Sequence, residues 1–461
     1  MNGGRVLRAD VGIVGAGPGG MAVARALSAA GVAVTVLDEG ARLGGQIFRQ
    51  LPAGFAAHGR SLEPPSHQRG HELLAALDEL PVQVVHGATV WNASPGRLWF
   101  EQDGQSWLLR CQRIVLAPGA YDRCIPFPGW TLPGVITAGA AQVMVRGFGL
   151  QPGRRALVAG SGPLLLPTVT ALLSAGVEVV AALEACSRSS LLRALPSVFG
   201  SGARLREAWF YARALWRRGV RLRPGWTVFA ALGDQRVQRA VIGRVDRHGR
   251  PLRSTARTID VDVVCAGFGL VPSIELAQLL GCEVEWNAVR GGWCVRVDDR
   301  GQTSVPGVLA VGEIAGIGGA EVAIAEGELA AAQILEQVFQ RPLPARTLRR
   351  RRSERRAADA LLAAFPQLPG LFELADQETV VCRCEDVRLG PLRAAAALFG
   401  NDARGLKMGT RAGMGPCQAR ICGPSLQCLA RPGAPLQMDC PVVQVPVKPV
   451  SVQTMIDAPM A

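Results

Sequence analysis

A chain of 461 residues with 49% apolar side chains implies about three domains and material for several buried cores, which excludes disorder and small stapled scaffolds. Its formal charge is +13, yet Lys occurs only at positions 407 and 448, and the eleven residues from Arg346 to Arg356 hold seven Arg against one Glu. No aromatic-rich basic surface flanks that run, so a solvated linker or docking face is expected there, and nucleic acid is not expected as a partner.

The first elements in chain order are a strand over Asp10–Val14, a glycine turn, a helix over Gly20–Ala30 and a second strand over Ala33–Leu37: a βαβ unit. In the turn, Gly15 permits the tight reversal, Gly17 lets backbone approach a pyrophosphate, and Gly20 lets helix and strand pack closely. The helix N-terminus offers free amides and a positive dipole end to phosphates. Asp38, 23 positions beyond Gly15, ends the second strand, where a carboxylate can accept the hydroxyls of an adenosine ribose. Strand, glycines, helix and acid in this register predict a dinucleotide site.

After Asp38 the chain continues Glu39-Gly-Ala-Arg-Leu-Gly44-Gly45-Gln46. Here it resembles the two-dinucleotide-binding flavoproteins of the glutathione and thioredoxin reductase type. That resemblance implies FAD, with Gly45 and Gln46 lying against it. It extends to Ala117-Pro118-Gly119 and to the stretch Thr303–Glu313, implying that Gly119, Gly312 and Glu313 also face FAD. Glu313 stands where the family usually has Asp. The helix after Gly319 is expected to aim its N-terminus at the flavin ring. No Cys follows the Gly-Gly loop and no CxxC occurs anywhere, so disulfide reduction is not expected.

Phe48–Ser66 is rich in Pro, Gly and His and predicts a surface loop; His67 and His71 beside it are not expected to bind metal. Strands are expected at Val82–Val85, Leu98–Phe100 and Arg113–Ala117. The apolar run Leu164–Leu183 reads as a buried strand-turn-helix-strand unit, because Pro167, Gly176 and the preceding Gly-Ser-Gly-Pro break it. This second glycine loop, Gly160-Ser-Gly162-Pro-Leu-Leu165, has Leu in place of the third glycine, and 23 residues beyond Gly160 stands Leu183, with Glu184 one step off. NAD(P) is therefore not expected; the second half serves as a platform or holds another nucleotide. After Asp260–Cys265 the chain returns to the first domain through Val305–Val311 and a small-residue helix near Gly319–Gln337.

Between Thr379 and Cys428 lie five of the twelve Cys. Cys382-Arg-Cys384 and Cys417-Gln-Ala-Arg-Ile-Cys422 supply four thiolates, which suit either zinc or an iron-sulfur cluster. Gly413 and Gly415 permit close backbone approach, and amides aimed at cluster sulfur raise its potential. The stretch Arg411–Pro424 resembles bacterioferritin-associated-ferredoxin-type domains, which implies a 2Fe-2S cluster on Cys382, Cys384, Cys417 and Cys422. From Cys440 the prolines predict an extended arm lying on something, and the arm from Pro441 is expected, with the Cys module, to face partner subunits.

The expected fold class is α/β: two Rossmann-like dinucleotide-binding domains of the glutathione reductase type plus a small, mainly helical iron-sulfur module. Residues 1–125 and 268–342 form the FAD-binding domain, 126–267 a degenerate NAD(P)-binding-like domain, 343–375 the Arg-rich linker, 376–440 the cluster domain and 441–461 the arm.

An FAD half, a degenerate half and a CxC...CxxxxC module in this order resemble the larger chain family that includes the A-type component of opine oxidase, the B-type component of hydrogen cyanide synthase and the alpha component of D-hydroxyproline dehydrogenase. Pro126–Val135 and Gly160–Pro167 carry the resemblance beyond the cofactor motifs. It implies electron transfer within a heteromeric amino-acid or opine (secondary amine) dehydrogenase or oxidase acting on CH-NH donors. The implied partners are an FAD-containing amine-oxidising subunit, a quinone or dye as acceptor and, in some relatives, an FMN at a subunit interface with a small ferredoxin-like 2Fe-2S subunit. No catalytic base or carboxylate clamp is legible. The rival readings are a self-contained NAD(P)H-dependent flavin reductase and a zinc-stabilised nucleotide scaffold. Few Cys for the length, no apolar leader before Val11 and no membrane span point to the cytoplasm, with a peripheral place at the inner membrane face as the variant.

Overall fold

The computed structural model describes residues 5–52, 63–199 and 202–459. Alternating apolar runs and glycine turns build two parallel sheets with helices against them.

The first sheet holds β1 (Arg5–Val14), β2 (Val34–Asp38), β3 (Gln83–His86), β4 (Thr89–Ser94), β5 (Arg97–Gln102) and β6 (Gln105–Leu116) in the order β3-β2-β1-β6-β5-β4. β1, β2, β3 and β6 run parallel, while β4, β5 and the first half of β6 form an antiparallel meander. The last half of β6 pairs with a strand returning from far along the chain, Val308–Ala310. Between β1 and β2 lies α1 (Pro18–Ser28), and α2 (Ser66–Asp78) precedes β3. The surface loop expected at Phe48–Ser66 falls mostly on 53–62, outside the described residues.

His67 and His71, expected in a loop, sit one turn apart on α2. Their rings go different ways. His67 is buried edge-on against Phe48 and accepts a hydrogen bond from Arg146 Nη1 at 2.7 Å, while His71 lies 3.2 Å from Glu63. Burial, then the Arg146 cation, push the His67 imidazole down to about 4, so it stays neutral at physiological pH and shares no ligand with His71.

The second sheet has β7 (Val135–Thr137), β8 (Arg155–Gly160), β9 (Glu178–Glu184), β10 (Leu222–Pro224) and β11 (Val263–Gly267) in the order β10-β9-β8-β11-β7, all parallel. Leu164–Leu183 is the expected strand-turn-helix-strand unit, with α3 (Leu165–Ser174) between β8 and β9. Two further helices, α4 (Arg188–Phe199) and α5 (Gly202–Arg217), follow β9. The chain then returns to the first domain and forms the long α6 (Ala320–Phe339), which packs on α1 where Gly327 meets Gly19.

The Arg-rich segment is not a solvated linker. Residues Ala345–Ala363 form a helix, α7, lying along α6. Arg350 pairs with Glu328 (2.5 Å) and Glu321 (3.4 Å), and Arg351 lies 3.6 Å from Glu326. Arg355 is buried, with Nη2 2.7 Å from Glu326 and Nη1 donating to the carbonyls of Gly316 and Ile317. The acids of α6 pair with Arg350, Arg351 and Arg355, Asp299 pairs with Arg352, and Arg346, Arg349 and Arg356 stay exposed. Removing one partner of a buried pair strands the other, so Arg355→Ala is expected to lower unfolding free energy by about 3–5 kcal/mol in urea titrations; a loss under about 1 kcal/mol would show that the pair is dispensable.

The cysteine module contains the hairpin Val380–Cys382 with Val387–Arg388, then α8 (Leu389–Phe399), α9 (Ala403–Thr410) and α10 (Gly423–Ala430). The arm beyond it lies on the chain's own meander and includes a short helix, α11 (Val452–Ile456). Val447 is buried, its amide donates to Trp91 O, and Trp99 Nε1 donates to Pro459 O at 3.1 Å. Ending the chain after Cys440 uncovers Trp91 and Trp99, with an expected loss of about 3 kcal/mol in the same titration; an unchanged midpoint would mean that the arm contributes nothing to the fold.

Candidate functional site

Four segments converge on the N-terminus of α1. Gly15 (φ +99°) lies beneath Ala117, so close that a Cβ would stand 2.2 Å from Ala117 O. A Cβ on Gly20 would stand 1.9 Å from Gly15 O. On Gly17, by contrast, it would meet nothing within 4 Å. This is the division expected of a dinucleotide loop, with two glycines spent on packing and one open toward a ligand. Asp38 braces the loop: its carboxylate accepts from Ala16 N at 2.5 Å and Gly40 N at 2.7 Å.

Gly44 N donates to Ala16 O, and a Cβ on Gly45 would lie 2.7 Å from Gly17 Cα, so the Gly-Gly loop rests on the first glycine turn. Gln46 accepts from Arg49. Gly119 has φ +80° with open space on its Cβ side. Gly312 donates to Glu326 at 2.9 Å, next to the buried Arg355. An open glycine edge, free helix amides and a carboxylate at the strand end fit the phosphates and ribose of FAD.

Glu313 braces the turn before α6, as Asp38 braces the first loop: its carboxylate accepts from Gly319 N at 2.7 Å and Gly318 N at 3.3 Å. Burial pushes the Glu313 carboxyl up.

At the second glycine loop the structure corrects the register. β9 carries a bulge between Val179 and Ala181, and beyond it Glu184, not Leu183, pairs with Gly160. Glu184 Oε2 accepts from Gly162 N at 3.0 Å and Oε1 from Cys186 N at 2.8 Å, the same bracing that Asp38 supplies. Burial pushes its carboxyl up to about 7. α3 starts at Leu165, five residues after Gly160, whereas α1 starts at Pro18, three after Gly15.

The four motif cysteines come together as two hydrogen-bonded pairs. Cys382 Sγ meets Cys422 Sγ, and Cys384 Sγ meets Cys417 Sγ. Among the described residues no three His, Cys, Asp or Glu side chains are arranged to hold a single metal ion. Cys382 and Cys422 are buried, and Cys384 is exposed. Amides of Gly413, Glu385 and Cys384 point at Cys382 Sγ, and together with Cys422, whose bond is the larger influence, they lower its thiol to about 5. A Cβ on Gly415 would stand 2.2 Å from Cys384 Cβ, so that glycine lets the loop close over Cys384. Positive φ at Arg411, Gly413, Gln418 and Ala419 gives the loop its curl. Four neighbouring thiols with amide donors are the donor set that a thiolate-ligated metal centre needs.

The loop between Cys417 and Cys422 is clasped to both domains. Arg420 Nε lies 2.9 Å from Glu275 Oε1, and Glu275 also accepts from Ser273 and from Tyr121, two residues past Gly119. Ser425 donates to Cys124 O, and Trp130 Nε1 donates to Val380 O at 2.6 Å with the Arg383 guanidinium over its ring. The Pro126–Val135 stretch therefore serves as the seat of the module. Sequence reasoning missed Glu275, Glu326 and Arg355; acids at 321, 326 and 328 on one helix before an Arg run were the available signal.

Two stacked Rossmann-like units with a braced glycine loop define an oxidoreductase architecture, and residues 9–327 match the pyridine nucleotide-disulphide oxidoreductases, the family to which the chain belongs. It is similar to the A subunit of opine oxidase from Agrobacterium tumefaciens (strain Ach5), with 31% identity over 98% of this chain and 92% of that one. It is also similar to hydrogen cyanide synthase subunit HcnB of Pseudomonas aeruginosa, with 31% identity over 89% of this chain and 90% of that one. The fold is shared with L-proline dehydrogenase from P. horikoshii, at TM-score 0.70 and 20% identity, covering 98% of this chain and 80% of that one.

Proposed function

We propose that this chain is the FAD- and 2Fe-2S-containing electron-transfer subunit of a heteromeric dehydrogenase or oxidase acting on an amino acid, opine or other secondary amine. One observation carries the reading: the Cys417–Cys422 loop is clasped through Arg420 and Glu275 to Tyr121, on the domain that holds the braced glycine loop. Both candidate cofactor sites thereby belong to one packed body, as an electron relay requires. The subunit names of the similar proteins support the heteromer.

Gly15, Gly17, Gly20 and Asp38 would hold FAD, with Gly45, Gln46, Gly119 and Glu313 alongside and Gly312 tied back by Glu326. Cys382, Cys384, Cys417 and Cys422 would hold the cluster. Bound there, FAD would supply two-electron redox chemistry and the cluster one-electron chemistry. Around them the protein keeps Cys382 and Cys422 dry, turns amides toward sulfur and fixes the module against Trp130. The amine is oxidised on an FAD-containing partner subunit, and a quinone or dye serves as acceptor. Glu184 restores a carboxylate to the second loop, but Leu165 stands where a third glycine would let the helix approach, and this route takes no electrons from a nicotinamide.

Iron, acid-labile sulfide and flavin measured on protein purified without oxygen test the cofactor assignment. Bound flavin with iron and sulfide in equal amounts supports it; a stoichiometric zinc content with neither would replace it by the scaffold reading.

A further inference from the structure

The second domain presents a surface that the relay does not use. α5 turns Tyr211, Ala214 and Leu215 inward and buries them. Its outward residues are Leu205, Arg206, Trp209, Ala212, Arg213, Trp216 and Arg217, a single face at helical spacing. Trp209 is 65% exposed and Trp216 82%. Indoles so bare on a protein with ample core are unusual and mark a contact surface.

Charge identifies the contact. Arg206, Arg213 and Arg217, followed by exposed Arg218 and Arg221, have no carboxylate within 4.0 Å among the described residues. On α7, by contrast, Arg350, Arg351 and Arg355 pair with acids of α6. The one acid of α5, Glu207, is turned to Ser66 and Tyr211 and leaves the outward face wholly cationic and apolar. Neighbouring α4 adds exposed Leu192 and Leu195 with Arg188 and Arg193. No Asp or Glu stands on the outward face of α5, so nothing there repels an anionic headgroup.

We propose that this face of α5 docks the protein on an anionic lipid bilayer. Trp209, Trp216 and Leu205 enter the headgroup boundary, where indoles are favoured, while the guanidiniums reach back along their stems to lipid phosphates. Docking is peripheral, since no helix among the described residues is long and apolar enough to cross a membrane. It rests on the helix face alone and holds whatever the cofactors are.

Sedimentation of the purified protein with vesicles tests this. The protein is expected to sediment with vesicles of phosphatidylglycerol and phosphatidylcholine but not with phosphatidylcholine alone, and added salt should release it. W209S/W216S and R206E/R213E/R217E should each weaken binding at least about tenfold while keeping the wild-type unfolding midpoint. Failure to bind anionic vesicles, or equal binding by both variants, overturns the proposal. So does loss of partner subunits from the variants with vesicle binding unchanged, which would make this face a subunit interface.

Discussion

Gly17→Val is expected to leave the protein folded and to strip it of flavin. The backbone at Gly17 is extended (φ −74°, ψ −176°), a conformation valine adopts readily, and a Cβ there meets nothing within 4 Å. Its side chain would instead fill the edge left open for a pyrophosphate, and affinity for FAD should fall at least about 100-fold. Gly20→Val is the contrasting case. Its Cβ would lie 1.9 Å from Gly15 O, so α1 must move off β1 and the fold itself weakens. Flavin content by absorbance and the urea midpoint of the flavin-free forms separate the two. A Gly17→Val protein with full flavin would remove this loop from the site.

Cys382→Ser has the second large effect: loss of iron and sulfide with flavin retained. Cys382 is 1% exposed, receives three amides and pairs with Cys422, so a serine hydroxyl there cannot supply the soft anionic ligand that iron needs. Cys428 and Cys440 are the controls. Cys428 donates to Pro435 O and Cys440 meets Gln278, so neither belongs to the two pairs, and serine at either should leave iron unchanged. Cys382→Ser protein with a full complement of iron would contradict the ligand assignment.

The elements carrying these effects were largely legible in the sequence because they obey local rules. The first glycine loop, the acid after β2 and the return through Val308–Ala310 follow from spacing, and the four cysteines were assigned from motif alone. What escaped depends on long-range geometry. The bulge in β9 shifts Glu184 into register, and a bulge leaves no mark in composition. The Arg run looked solvated because its counter-charges sit on another helix. That Glu313 would brace Gly318 and Gly319 could not be read from spacing either. The arm was expected to lie on something, and that something proved to be Trp91 and Trp99 of the same chain.

The central claim is that electrons reach this chain from an amine-oxidising partner and not from a nicotinamide. Stopped-flow absorption of the anaerobic complex tests it most directly. Mixing with the amine substrate should bleach the flavin and the cluster bands within one turnover, whereas NADH or NADPH should leave both bands standing over the same interval. Rapid bleaching by either nicotinamide, without the partner subunit present, would contradict the account.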